Sequence, residues 1–256
     1  MLKDLDINTL TPEDITLDKL IGSWTIHQLK KGHRFSVDDQ MTALLAAELA
    51  PQATSLCDIG AGIGSVGLMT LWNMQESASL VMVEAQQISH QLALKTIALN
   101  KLTHRIDARY GDLRDPNILP EANFFDLVTG SPPYIPPEKG VLSPHPQRAA
   151  CRMELRGSIY DYCTTAARIL APGGLFVVCF SGTDPRAEAA LHQAGLHIIV
   201  RQNIIFRADL PPTIAVFAAQ HEATERQPDR RFQIRDEKGE WTEQFYEARA
   251  KMAISK

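Results

Sequence analysis

The chain lacks the features that would place a protein in a membrane, outside the cell, or along nucleic acid by charge alone. No apolar run approaches the roughly 18–20 residues needed to span a bilayer, so no membrane partner is expected. The four cysteines, Cys57, Cys151, Cys163 and Cys179, follow no paired spacing. This argues against a disulfide framework and against a zinc or other metal site, and for a reduced, cytoplasmic setting. Positive charge is not in excess: the net charge is −4, which excludes a non-specific nucleic-acid coat. Residues 1–20 are acidic and interrupted by Pro12, so neither a signal nor a transit peptide is expected there. Internal repeats and low-complexity tracts are absent as well.

What is present suits one medium α/β domain. A chain of 256 residues that is 45% hydrophobic and 22% charged can bury a substantial core and remain soluble. Residues 38–50 carry apolar positions at helical spacing behind Asp38 and Asp39, and Pro51 stops the run. Beyond it, strand-like runs at 55–60, 80–85, 106–111, 125–130, 175–181, 196–206 and 213–219 alternate with helical stretches at 64–74, 87–101, 157–170 and 184–195. That alternation predicts a parallel sheet covered on both faces. No helix separates the last two strands, so they are expected to pair antiparallel at one edge. Residues 132–156 form a long, Pro-rich, basic loop of the kind that is usually functional or disordered. In the polar tail, Asp236-Glu-Lys-Gly239 is a turn signal between short β-like pieces. Basic residues cluster at Lys30, Lys31, His33 and Arg34, at Arg148, Arg152 and Arg156, and at Arg226, Arg230, Arg231 and Arg235. All three groups are expected to flank one site.

Asp58-Ile-Gly-Ala-Gly-Ile-Gly64 closes the first of these parallel strands and opens a helix, and its glycines allow a tight turn and close approach to a ligand. Gly62 to Gly67 also satisfies the GxGxxG of dinucleotide enzymes, in which a helix N-terminus holds a pyrophosphate. Asp58 separates the two readings. A carboxylate there repels a pyrophosphate and attracts the ammonium and sulfonium of S-adenosylmethionine. Glu84 ends the next strand, where it can accept from both ribose hydroxyls of a nucleoside. Asp112 can accept from an adenine amino group, with Leu113 packing the ring. A turn would also use Gly111-Asp112, and Asp58 would also cap a turn.

Ser131-Pro132-Pro133-Tyr134 follows the fourth strand of the parallel series. An amino nitrogen on an aromatic ring is a poor nucleophile because its lone pair is delocalised. Accepting its two N–H groups on the Ser131 side chain and the Pro132 carbonyl favours a tetrahedral nitrogen, and the two prolines fix those acceptors in advance. Tyr134 offers a face for the target base, worth roughly 1–3 kcal/mol. Rate then comes from proximity and orientation, without a general base. A rigid loop with no chemistry is the alternative, but the position at the carboxyl end of a central strand is where α/β sheets bind ligands.

Together these residues resemble class I S-adenosylmethionine-dependent methyltransferases with an (Asn/Asp/Ser)-Pro-Pro-(Tyr/Phe) signature, over about residues 15–219. The resemblance implies a Rossmann-like α/β fold: a seven-stranded sheet in the order 3-2-1-4-5-7-6, strand 7 antiparallel, with helices on both faces. It also implies cofactor contacts at Asp58, Gly60, Gly62, Glu84, Asp112 and Ser131. More narrowly, Leu20-Ile-Gly22 with Gly32-His33-Arg34-Phe35-Ser36-Val37-Asp38 is similar to the leading segment of bacterial tRNA1(Val) adenine-37 N6-methyltransferases. There Phe35 would cover the cofactor, and Arg34 would reach a carboxylate or phosphate, or each would simply pack the first helix. The expected organisation is a leading segment at 1–37 lining the cofactor pocket, the methyltransferase domain at 38–222 and a short appended element at 223–256. Those tRNA enzymes usually begin the tetrapeptide with Asn; Ser131 is shorter, and its hydroxyl can also donate. The expected activity is methylation of an exocyclic amino group, adenine N6 of tRNA, with RNA as partner. The alternatives are guanine N2 in rRNA, a protein glutamine amide, a small-molecule amine, or a cofactor-binding protein without turnover.

Overall fold

The computed structural model of the chain describes residue 5 and residues 7–253. It begins with an antiparallel hairpin of β1 (Ile15–Ile21) and β2 (Trp24–Leu29), turning at Gly22 with φ +53°. Helix α1 (Val37–Leu49) starts in a capping box, with the Asp39 carboxylate accepting from the Ser36 N–H at 2.8 Å. Then follow β3 (Ser55–Ile59), α2 (Ser65–Trp72), β4 (Ser79–Glu84), α3 (Gln87–Leu99), β5 (Ile106–Tyr110) and β6 (Phe125–Gly130). The second half runs α4 (Pro146–Arg152), α5 (Ile159–Ile169), β7 (Leu170–Ser181), α6 (Arg186–Gln193), β8 (His197–Ile205), β9 (Ile214–Gln220), β10 (Arg230–Gln233) and α7 (Glu243–Lys251).

Among the described residues the main sheet has eight strands in the order β10-β8-β9-β7-β6-β3-β4-β5. Its first seven in chain order reproduce the expected arrangement, with β9 antiparallel to both β7 and β8. The sheet departs from the expected seven strands and from the expected edge: β10 from the polar tail pairs parallel with β8 and takes the edge position. The β-like reading of the tail reflects this strand and the Arg235–Trp241 bridge across the turn at Gly239.

The period of two along β7 explains the two-sided core. Leu175, Val177 and Cys179 pack with residues of α1, α2 and α7, whereas Phe176, Val178 and Phe180 pack with α5 and α6. Burying each of those phenylalanines contributes about 2–3 kcal/mol. Because both faces are covered, the ligand-accessible part of the sheet is its carboxyl end. Among the described residues no helix is long and apolar enough to cross a membrane.

Candidate active site

A cleft opens at the carboxyl ends of β3, β4 and β6. Of the residues singled out in the sequence, Phe35, Asp58, Gly60, Gly62, Glu84, Asp112, Leu113, Ser131 and Pro133 line it. The glycine turn after β3 takes left-handed conformations at Gly60 (φ +63°), Gly62 (+58°) and Gly64 (+90°). A Cβ on Gly60 would lie 1.8 Å from the Tyr162 hydroxyl, whereas one on Gly62 would meet nothing within 4 Å. Gly62→Ala is therefore expected to cost only backbone strain, about 1–2 kcal/mol. Gly60→Ala adds a collision and should melt several degrees lower still, which thermal denaturation of the two variants checks.

Carboxylates surround that turn. Asp58, 1% exposed, accepts from the Thr129 hydroxyl at 2.8 Å and from the Gly67 N–H at 2.9 Å. Glu84 accepts from the N–H groups of Gly62 (2.7 Å) and Gln86 (2.5 Å). At the start of α2, the Gly62 and Gly67 N–H groups are thus already taken by carboxylates, whose charge disfavours a pyrophosphate here. Asp39, absent from the sequence-based set, also lines the cleft and accepts from Ser65 Oγ at 2.9 Å. Burial pushes the Asp58 carboxyl up to about 7, and burial together with the Asp38 charge does the same to Asp39. Asp112 is held the other way: hydrogen bonds from Arg114, the shortest at 2.6 Å, keep it below the usual carboxylate range.

The tetrapeptide follows β6 directly. Ser131 Oγ is buried and, among the described residues, has no hydrogen-bond partner. Pro132 is buried, and Pro133 borders the cleft. Tyr134 does not line it. Its ring meets Phe180 edge-on at 5.4 Å, and its hydroxyl donates to Asp38 Oδ2 at 3.2 Å and lies 3.2 Å from Cys179 Sγ.

The leading segment reaches the cleft through His33 and Phe35. The Phe35 N–H donates to the buried Gln28 side chain at 2.9 Å. Arg34 does not line the cleft: its guanidinium pairs with Asp18 of β1 at 2.9 Å and donates to Thr16. The long loop after the tetrapeptide is ordered into α4, which brings Gln147, Ala150 and Cys151 over the cleft. Gln147 accepts from the His33 N–H and donates to Ser89, while Arg148 donates to the Lys31 carbonyl at 2.8 Å. The first two basic clusters therefore meet at the cleft. The third does not, contrary to expectation. It lies around β10, separated from β3 by β8, β9, β7 and β6, and Arg226 and Arg230 are paired with Asp229 and Glu48 at 2.7 Å. Of the lining residues that sequence reasoning missed, Asp39 stands one position beyond the leading stretch quoted above. Tyr162 and Gln147 carry no local signal at all. Among the described residues no group of three or more His, Cys, Asp or Glu side chains could hold a metal ion.

The model of the methyltransferase small domain matches residues 28–143. The tRNA1(Val) (adenine(37)-N6)-methyltransferase of Serratia proteamaculans is 25% identical over 236 residues, covering 88% of this chain and 86% of the relative. Its counterpart from Citrobacter koseri is 31% identical over 137 residues, 53% and 55% of the two chains. Among solved structures, a predicted O-methyltransferase from Agrobacterium tumefaciens superposes with a TM-score of 0.64 at 19% identity, covering 85% of this chain and 98% of its own. A T. thermophilus 16S rRNA N2 guanosine methyltransferase, solved with AdoMet and guanosine, gives 0.57 at 20% identity over 81% and 50%.

Proposed function

We propose that the chain, whose fold is that of class I methyltransferases and whose residues 28–143 match the methyltransferase small domain, is an S-adenosylmethionine-dependent enzyme that methylates an exocyclic amino nitrogen, adenine N6 of a tRNA. The observation that carries this reading is the buried, unpartnered Ser131 Oγ at the end of β6, beside a main chain stiffened by Pro132 and Pro133. A buried hydroxyl without a partner costs about 1–3 kcal/mol, and an incoming amino group offsets that cost by donating to it. The relatives named for adenine 37 of tRNA1(Val) support the choice of acceptor.

The lining residues fit the cofactor. Asp58 and Asp39 offer buried negative charge to its ammonium, Glu84 has further lone pairs for ribose hydroxyls, and Asp112 with Leu113 suits the adenine. Gly62 leaves the wall open for close approach. When bound, the cofactor supplies an electrophilic methyl carbon on a sulfonium. The protein contributes orientation: Ser131 and the Pro132 carbonyl hold the target N–H groups, Tyr134 presents its ring to the base, and the nitrogen lone pair is localised toward the cleft. Phe35 borders the cleft as a cover, and Arg34 acts indirectly by fixing β1 beneath the leading turn.

Incubation with tritiated-methyl cofactor and total tRNA from a strain lacking the enzyme, followed by nucleoside analysis, tests the reading. Label in N6-methyladenosine supports it, and label in N2-methylguanosine or in protein overturns it. The exposed Lys30, Lys31 and Arg152, with Arg148 behind them, form the rim expected to meet the RNA backbone. Lys31→Glu combined with Arg152→Glu should weaken tRNA binding about 10-fold or more and flatten its salt dependence by about two phosphate contacts. Fluorescence anisotropy over a salt series measures both.

A further inference from the structure

The loop between the tetrapeptide and α5 is closed at its neck. The Ile135 N–H donates to the Arg152 carbonyl at 3.1 Å, and the Glu154 N–H donates to the Ile135 carbonyl at 2.9 Å. Beneath this neck stands Arg186, on the first turn of α6. One of its terminal nitrogens donates to the Tyr134 carbonyl at 3.1 Å and to Asp184 Oδ2 at 2.7 Å, and the other to Glu154 Oε1 at 2.7 Å. The guanidinium also lies 5.3 Å from the centre of the Phe180 ring, the same ring that Tyr134 meets edge-on. Glu154 is only 8% exposed in its side chain, so the pair is shielded from solvent. The two terminal nitrogens of a planar fork span these three acceptors, whereas the three N–H groups of a lysine radiate from one nitrogen and do not match that spread.

We propose that Arg186 is a positioning residue for methyl transfer, holding the Tyr134 carbonyl and Glu154 from one guanidinium so that the tetrapeptide sits at a fixed height over the cofactor. The proposal rests on the reading of that tetrapeptide as the acceptor site. Arg186 touches neither acceptor nor cofactor, and none of Tyr134, Glu154, Asp184 and Phe180 lines the cleft. Loosening the latch therefore displaces the acceptor groups while leaving the carboxylates and the glycine turn of the cofactor cradle in place, and a misplacement of about 1 Å costs on the order of 100-fold in rate.

Arg186→Lys, with Glu154→Gln as a milder variant that keeps an acceptor oxygen, tests the latch. Single-turnover transfer to tRNA should fall about 30- to 100-fold in Arg186→Lys and less in Glu154→Gln, with S-adenosylhomocysteine affinity held within about 3-fold. Hydrogen exchange should show the Ile135 and Glu154 amides losing protection. A transfer rate near that of the wild type, or an equal loss of S-adenosylhomocysteine affinity, overturns the positioning role. Wild-type protein that labels no tRNA overturns the acceptor reading instead, while amides that stay protected in Arg186→Lys overturn the latch whatever the acceptor.

Discussion

Asp58→Asn is expected to weaken S-adenosylhomocysteine binding about 100-fold while leaving the apo fold intact or firmer. The asparagine amide has the shape of the carboxyl group and can keep both existing contacts, its oxygen accepting from the Gly67 N–H and its NH2 donating to Thr129 Oγ1. What disappears is the charge, which a ligand ammonium needs and the empty fold does not. The carboxyl is raised to about 7 by burial, from 3.8 in an unfolded chain. Between those two values the folded chain keeps a proton that the unfolded chain has lost, so this group's contribution to stability falls as pH rises. The stability advantage of Asp58→Asn over the wild type should therefore grow from about pH 5 to about pH 8 in thermal melts. Affinity runs the opposite way. Wild-type binding should tighten from about pH 6 to about pH 7.5, below the range where an α-amino group itself deprotonates, and the variant should tighten less. Calorimetric titration measures it, and an unchanged Kd would remove Asp58 from the cofactor site.

Tyr134→Ala should cut transfer to tRNA about 100-fold with S-adenosylhomocysteine affinity within about 3-fold, because stacking on a base is worth roughly 1–3 kcal/mol and the ring does not line the cofactor cleft. Removing it also opens space beside Phe180 and should lower stability by about 2 kcal/mol. Tyr134→Phe separates the two effects. It retains the ring and loses only the bonds to Asp38 and Cys179, so its transfer rate should stay within a few-fold of wild type. Single-turnover assays with labelled cofactor decide it. An alanine variant as fast as wild type would show that the base does not rest on this ring.

In the parallel half of the sheet, β3, β4 and β6 were legible as compact apolar runs, β3 and β6 each closing on a glycine, Gly60 and Gly130. The β1–β2 hairpin carried no comparable signal. Part of the outer rim of β2 is satisfied by side chains of α3 and of the residue that caps it, with the N–H groups of His27 and Thr25 donating to Thr96 and Asn100, about seventy residues away. Helix α4 is too short for periodicity to register, and its place is set by distant partners such as Ser89 and the Lys31 carbonyl. At the site, local motifs identified the glycine turn, the carboxylates and the tetrapeptide. They could not show that Arg34 is committed to Asp18, that Asp39 faces the cleft, or that Tyr162 closes over Gly60, since each depends on tertiary contacts.

The short strand β10 has a bearing on solubility. Without it, β8 would present nine residues as an open flank on which another molecule's backbone could zip. The tail covers Gln202–Ile205 with only four residues, two of them arginines, and the Gln227 N–H caps the Ile199 carbonyl further along. A stub that short and that charged is a poor template for growth, so residues 227–233 act as a selvedge that keeps the fabric of the sheet from being extended by its neighbours.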